Sequence, residues 1–147
     1  AALADCGWAV RGTSRSRAGL DLIEAAGVEP APADPDRAAT VLDHVADVTV
    51  VIWALGSAEG LPELLDAIHG PRLERVLEHL VDTPVRGFVY EAAGSAGEER
   101  LARGARAVDE ASARWHIPVR RIDVDGRDAD AWVLAALAAT LEVVGFA

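Results

Sequence analysis

The stretch Val48–Leu55, VTVVIWAL, decides the fold. From Val48 to Trp53 every residue is β-branched or aromatic, and no polar residue alternates with the apolar ones except Thr49. A strand with one wet face alternates between apolar and polar positions. A continuous apolar run of this length is the mark of a strand buried on both faces, as in a parallel sheet covered by helices above and below.

Working outward, the pattern switches repeatedly between strand and helix periods. Downstream, Leu61 to Val81 carries apolar residues at helical spacing, with a break at Gly70-Pro71. Val85 to Tyr90 (VRGFVY) reads as a strand. Ser95 and Glu98 make an S-x-x-E capping box that opens a helix to about Trp115. Pro118 to Val124 is a further strand, and Asp128 caps a last helix from Ala129 to about Val144. Upstream, Asp34 to Ala46 reads as a helix, with Asp34 as cap and Pro35 in the first helical position. Val28 to Ala33 is a short extended piece whose prolines suit an edge strand. Arg17 to Ala26 is a helix ended by Gly27, Trp8 to Thr13 a strand, and Ala1 to Gly7 the last turns of a helix. The order α-β-α-β-α-β-α-β-α-β-α implies parallel pairing through right-handed crossovers in a single doubly wound α/β domain, three layers deep.

A domain that opens on half a helix is unusual. In the common doubly wound order 3-2-1-4-5-6, the strand preceding that helix is the central one. Without it, two strands and three strands face each other across a gap. The expectation is that residues precede Ala1 in the intact protein; the alternatives are a shorter five-strand fold or another strand order.

Composition narrows the chemistry. The chain has 147 residues, 51% of them hydrophobic, enough for one domain with a sizeable core. No apolar run approaches the roughly 18–20 residues of a membrane span, and the N-terminal stretch lacks the marks of a secretory signal. The net charge of −10 opposes binding to nucleic acid and anionic membranes. A local anion site is still compatible with this charge, because arginines near one loop outweigh a distant negative surface within a Debye length of about 8–10 Å. All fourteen basic residues are arginine. Schiff-base chemistry, a P-loop lysine and any lysine base are therefore excluded. The single cysteine, Cys6, forms no intrachain disulfide and holds no zinc cluster; a small buried apolar role is expected for it. A reducing cytoplasm fits this usage.

The segments GWAVRGTSRS, GVEPAPADPDR, VTVVIWALGS and VRGFVYEAAGS, in that order, resemble the short-chain dehydrogenase/reductase superfamily. The similarity is to its extended and atypical branches, the NAD-dependent epimerase-like and NmrA-like proteins, and it spans nearly the whole chain. It implies a Rossmann-type fold with a dinucleotide at the C-terminal ends of the strands. After the second strand of that fold an acidic residue favours NAD. An arginine favours NADP, because a guanidinium pairs with the 2′-phosphate in fork geometry. Arg15 holds that place, with Arg17 close by and Thr13 and Ser14 as hydroxyl donors; the alternative is a solvated arginine on a helix-entry loop. Asp34 resembles the acidic residue beside the adenine, a role compatible with its reading as a helix cap. Ala54, Leu55 and Gly56 resemble the small-residue turn under the nicotinamide-side ribose, or are a plain strand-to-loop turn.

Two departures stand against these matches. The glycine-rich loop, G-x-x-G-x-x-G, whose amides bind the pyrophosphate, is absent from the sequence. The family's Tyr-x-x-x-Lys pair cannot exist without lysine, and Tyr90, the only tyrosine, lies inside a strand. No catalytic residue is assigned. The resemblance thus implies an NADP(H)-binding oxidoreductase or epimerase acting on a small substrate, with a non-catalytic dinucleotide-sensing module as the competing class. Glu91 and Asp123 end adjacent strands; they form an acid–base pair, or one caps a loop amide while the other meets solvent. The histidines His44, His69, His79 and His116 show no metal spacing and are expected at the surface or as caps. The tryptophans are expected to pack in the core. The last helix, apolar around most of its circumference, must be covered by the sheet, by another segment or by a second copy in a homodimer.

Overall fold

A computed structural model describes residues 1–145. Its elements are α1 (Ala2–Asp5), β1 (Arg11–Ser14), α2 (Arg17–Ala25), β2 (Glu29–Pro32), α3 (Ala38–Leu42), β3 (Val50–Trp53), α4 (Pro62–Ile68), α5 (Pro71–Leu80), β4 (Gly87–Glu91), α6 (Glu98–Trp115), β5 (Val119–Ile122) and α7 (Ala129–Val143). Every strand pair is parallel. This is a Rossmann-like α/β arrangement, and no helix among the described residues is long and apolar enough to cross a membrane.

The apolar run that predicts a doubly buried strand sits in a sheet covered on both sides. In β3 and β4, Val51, Trp53, Phe88 and Tyr90 face one core with Leu73, Val76 and Leu77 of α5 and Val108 of α6. The alternate positions Val50, Ile52 and Val89 face a second core with Ala136, Ala139 and Val143 of α7. The period of two along each strand divides the helices between the two faces, so much of α7's apolar surface lies against the sheet.

The sheet itself is split. β1 pairs with β2, and β3 pairs with β4 and β4 with β5, but β1 and β3 are not paired. The inner edges of the two parts face a common gap. Toward the N-terminal ends of the strands it is a pocket of about 380 Å³ lined by Trp8, Val10, Arg11, Val48 and Val50 among others. Side chains join the halves there. Arg11 on β1 donates to both carboxylate oxygens of Asp47 at 2.7 and 3.1 Å and to the His44 carbonyl at 3.0 Å. The His44 ring nitrogen Nε2 lies 3.0 Å from the Pro32 carbonyl oxygen. β2, with Pro30 and Pro32, occupies the outer edge, where a missing amide costs no ladder bond.

Three local expectations are corrected. The helix expected over Asp34 to Ala46 shrinks to Ala38–Leu42. Asp34 does not cap it and Pro35 does not start it. The Asp34 carboxylate accepts instead from the Asp36 amide at 3.0 Å, an Asx turn that competes with helix entry. Thr40 then anchors the turn by accepting from the Asp34 amide at 2.9 Å. The Ser95–Glu98 capping box does not form: α6 opens at Glu98 with Gly97 as its cap residue at φ 109°. The Ala96 amide is drawn to the Gly56 carbonyl at 2.9 Å, which takes the preceding loop away from capping geometry. Cys6 is exposed rather than buried, because α1 is a single turn with no buried residue. Asp128 does cap α7, accepting from the Ala131 amide at 3.1 Å.

Candidate functional site

At the C-terminal ends of the strands the gap opens into a cleft of about 470 Å³. Thr13, Ser14 and Arg15 line one lip and Trp53, Ala54 and Leu55 the other. The first lip is shaped by serines. The Ser14 hydroxyl accepts from the Ser16 amide at 3.2 Å, and the Ser16 hydroxyl caps α2 by accepting from the Gly19 amide at 3.1 Å. Arg15 projects from this ordered turn, exposed, and among the described residues it has no carboxylate partner.

Three sequence-predicted residues stand outside the cleft lining. Arg17 is exposed and pairs with Asp21 one turn along α2 at 3.0 Å. Asp34 spends its carboxylate on its own turn, while its neighbours Ala33 and Pro35 line the cleft. Gly56 is buried behind the Leu55 lip. A side chain there would overlap the Ala93 carbonyl oxygen and meet Glu91 Cγ at 2.7 Å, so the backbone approach itself requires glycine.

Behind that lip lies a buried polar network. Glu91, 4% exposed at the end of β4, accepts from the Gly56 amide at 2.6 Å through Oε2. Its Oε1 accepts from the Trp132 indole N–H at 2.6 Å. Both oxygens are thus engaged, and Asp123 is exposed; of the two readings of this pair, the arrangement matches the loop-amide acceptor with a solvated partner. His69 is fully buried at the C-cap position of α4; of the two expected places, surface or helix cap, the burial excludes the surface. Its Nε2–H donates to the Leu55 carbonyl at 3.0 Å, so its Nδ1 accepts from the Tyr90 hydroxyl at 2.7 Å. Burial holds His69 below the ordinary histidine range and therefore neutral at pH 7. Burial also pushes the Tyr90 phenol well above its usual range. Tyr90 is closed off from any substrate in the cleft and acts as a structural donor.

His69 was accessible to sequence reading only as the residue before the Gly70-Pro71 break. Its partner is marked by Gly104 in mid-helix, where an added Cβ would overlap the Tyr90 hydroxyl oxygen. Among the tryptophans, Trp53 stacks on Phe88 with ring centroids 6.5 Å apart, as core packing predicts. Trp8 instead lines the gap, and Trp132 serves as a hydrogen-bond donor.

No protein-family model and no curated protein matches the sequence. Among solved structures, the chain is similar to the Citrobacter sp. triphenylmethane reductase complexed with NADP(H), with 20% sequence identity. The likeness covers 77% of this chain but only 39% of that one, so this chain spans about two fifths of the reductase. With a TM-score of 0.56 over that stretch, the two proteins share an α/β fold.

Proposed function

We propose that this chain binds NADP(H), as part of a short-chain dehydrogenase-like protein of the NmrA-like or epimerase-like kind acting on a small substrate in a reducing cytoplasm. The observation that carries the reading is Arg15 on the cleft lip, exposed, beside the Thr13 and Ser14 hydroxyls at the C-terminal end of β1. A guanidinium with two neighbouring hydroxyls suits a ribose 2′-phosphate, and NADP is favoured over NAD for that reason. Ala54 and Leu55 would pack against the second ribose, with Gly56 setting their backbone; Arg17 and Asp34 play at most an outer part. The fold neighbour is complexed with NADP(H), which supports the choice of cofactor.

The described residues fit the adenosine end of the cofactor better than its pyrophosphate. The gap between β1 and β3 is the place for a further parallel strand, and the glycine-rich turn at its end would supply the pyrophosphate amides. When bound, the cofactor would supply hydride chemistry; this chain's residues would hold and orient it. The test is calorimetric titration with NADPH, NADH and adenosine 2′,5′-bisphosphate, which needs no pyrophosphate contact. Binding of the bisphosphate and NADPH in preference to NADH, with the preference erased in Arg15→Ala, is expected. Equal affinity for NADH, or an unaffected Arg15→Ala, refutes the reading.

The second reading is a nucleotide-sensing module without turnover. It is favoured by one observation: the only tyrosine is buried against His69 in a chain without lysine. NADPH oxidation with a carbonyl panel decides between the two. A homodimer through α7 would use Leu134, 68% exposed; a monomeric mass in light scattering refutes it.

A further inference from the structure

We propose that Glu91 is the positioning residue of the cofactor turn, fixing the Leu55–Gly56 backbone through one carboxylate oxygen and tying it to α7 through the other. The proposal rests on the cofactor reading above and names a control on that same site. Leu55 lines the cleft, and its carbonyl is held from behind by His69. The next residue is held by Glu91. The single Leu55–Gly56 peptide group is therefore clamped at both its polar atoms, its oxygen by His69 and its N–H by Glu91, and both buried side chains lie outside the cleft lining.

The two clamps differ in what lies behind them. His69 leans on Tyr90, inside the core between β4 and α6. Glu91 leans on Trp132, in the first turn of α7 and only half-buried. A charged acceptor shared by two N–H donors at 2.6 Å each is a short, directional link. The Gly56 carbonyl, moreover, accepts from the Ala96 amide at 2.9 Å, so the loops after β3 and β4 are tied to each other. A shift of α7 at Trp132 is passed to the turn by a single carboxylate. The start of α7 thus becomes a place where a substrate or a neighbouring segment alters how the dinucleotide is held.

Two readouts on the full chain test this, one of them free of ligand. The first is amide exchange at Gly56, against Val76 and Val108 as core references. The second is NADPH titration followed by the ¹H–¹⁵N signals of the Gly56 amide and the Trp132 indole. Glu91→Gln keeps the shape but sets an amide NH₂ against one of the two N–H donors. It is expected to speed Gly56 exchange and weaken NADPH binding about tenfold each, with Val76 and Val108 unchanged and the Trp132 response to NADPH lost. Unchanged Gly56 exchange overturns the proposal whatever NADPH does. Equal acceleration at all three amides shows mere destabilisation and also overturns it. If the wild-type chain binds no NADPH while Gly56 is released in Glu91→Gln, the cofactor reading falls and Glu91 stands as the positioning residue of the turn. Should Glu91→Gln fail to fold, Trp132→Phe removes only the α7 donor. A smaller acceleration at Gly56, about threefold, is then expected, and none overturns the coupling.

Discussion

Replacing Gly104 by alanine sets two effects of opposite sign against each other. Gly104 lies in the middle of α6, where alanine is favoured by about 1 kcal/mol on helix propensity alone. At an exposed site the substitution would stabilise. Here the new methyl would overlap the Tyr90 hydroxyl and stand 2.6 Å from Cζ and 3.2 Å from Cε2. Tyr90 is fully buried and has no room to retreat. Overpacking of this kind costs about 1–3 kcal/mol. Displacing the hydroxyl strands His69 Nδ1 as a buried acceptor, for a further penalty of about 1–3 kcal/mol. The expected outcome is a net loss of about 1–5 kcal/mol in urea unfolding followed by tryptophan fluorescence. A double-mutant cycle isolates the cause. In a Tyr90→Phe background the hydroxyl is gone, and the penalty of Gly104→Ala should shrink by at least about 1 kcal/mol. A stabilised Gly104→Ala, or strict additivity with Tyr90→Phe, refutes the reasoning.

Further expectations concern the same elements. His69 is buried neutral, so the unfolded chain binds a proton that the folded one refuses. Stability is then fully present above about pH 6.5 and falls as the pH drops toward the lowered folded value, by at most about 1.4 kcal/mol per pH unit. Melts between pH 5 and 8 should show this slope in the wild type and lose it in His69→Gln; equal slopes count against it. Gly56→Ala should destabilise by about 1–3 kcal/mol and abolish NADPH binding, because its methyl meets the Ala93 carbonyl; wild-type affinity in calorimetry would contradict this. Arg11→Ala removes the bidentate link to Asp47. Amide exchange should then quicken across β1 and β2 while β3 to β5 hold, and uniform protection would show that the link carries nothing.

The fold was legible because strands covered on two faces announce themselves. Val48–Leu55 needs no partner to be read, and the Gly70-Pro71 break placed α4 and α5 correctly. Where side-chain chemistry competes with periodicity, the sequence misleads. Asp34-Pro35-Asp36 has the residues of a helix start and also those of an Asx turn, and only the Thr40 anchor selects the turn. Ser95 and Glu98 satisfy the spacing of a capping box, but the Gly56 carbonyl claims the Ala96 amide across the sheet. The cleft lips were legible as loop positions following strands, which is how Thr13–Arg15 and Ala54–Leu55 came together. The supports behind them were not. The links from Glu91 to Gly56 and Trp132, and from His69 to Tyr90 and Leu55, join residues 14–41 positions apart, and no local spacing rule reports such distances.

The divided sheet also bears on how this chain meets others. An unpaired strand edge is a template for intermolecular pairing, and this chain has two such edges facing one another. Both run in the same direction, so a guest strand lying parallel to one also lies parallel to the other and meets the same kind of ladder on each flank. The four-residue length of β1 and β3 leaves little purchase for aggregation while still offering a short guest two ladders at once.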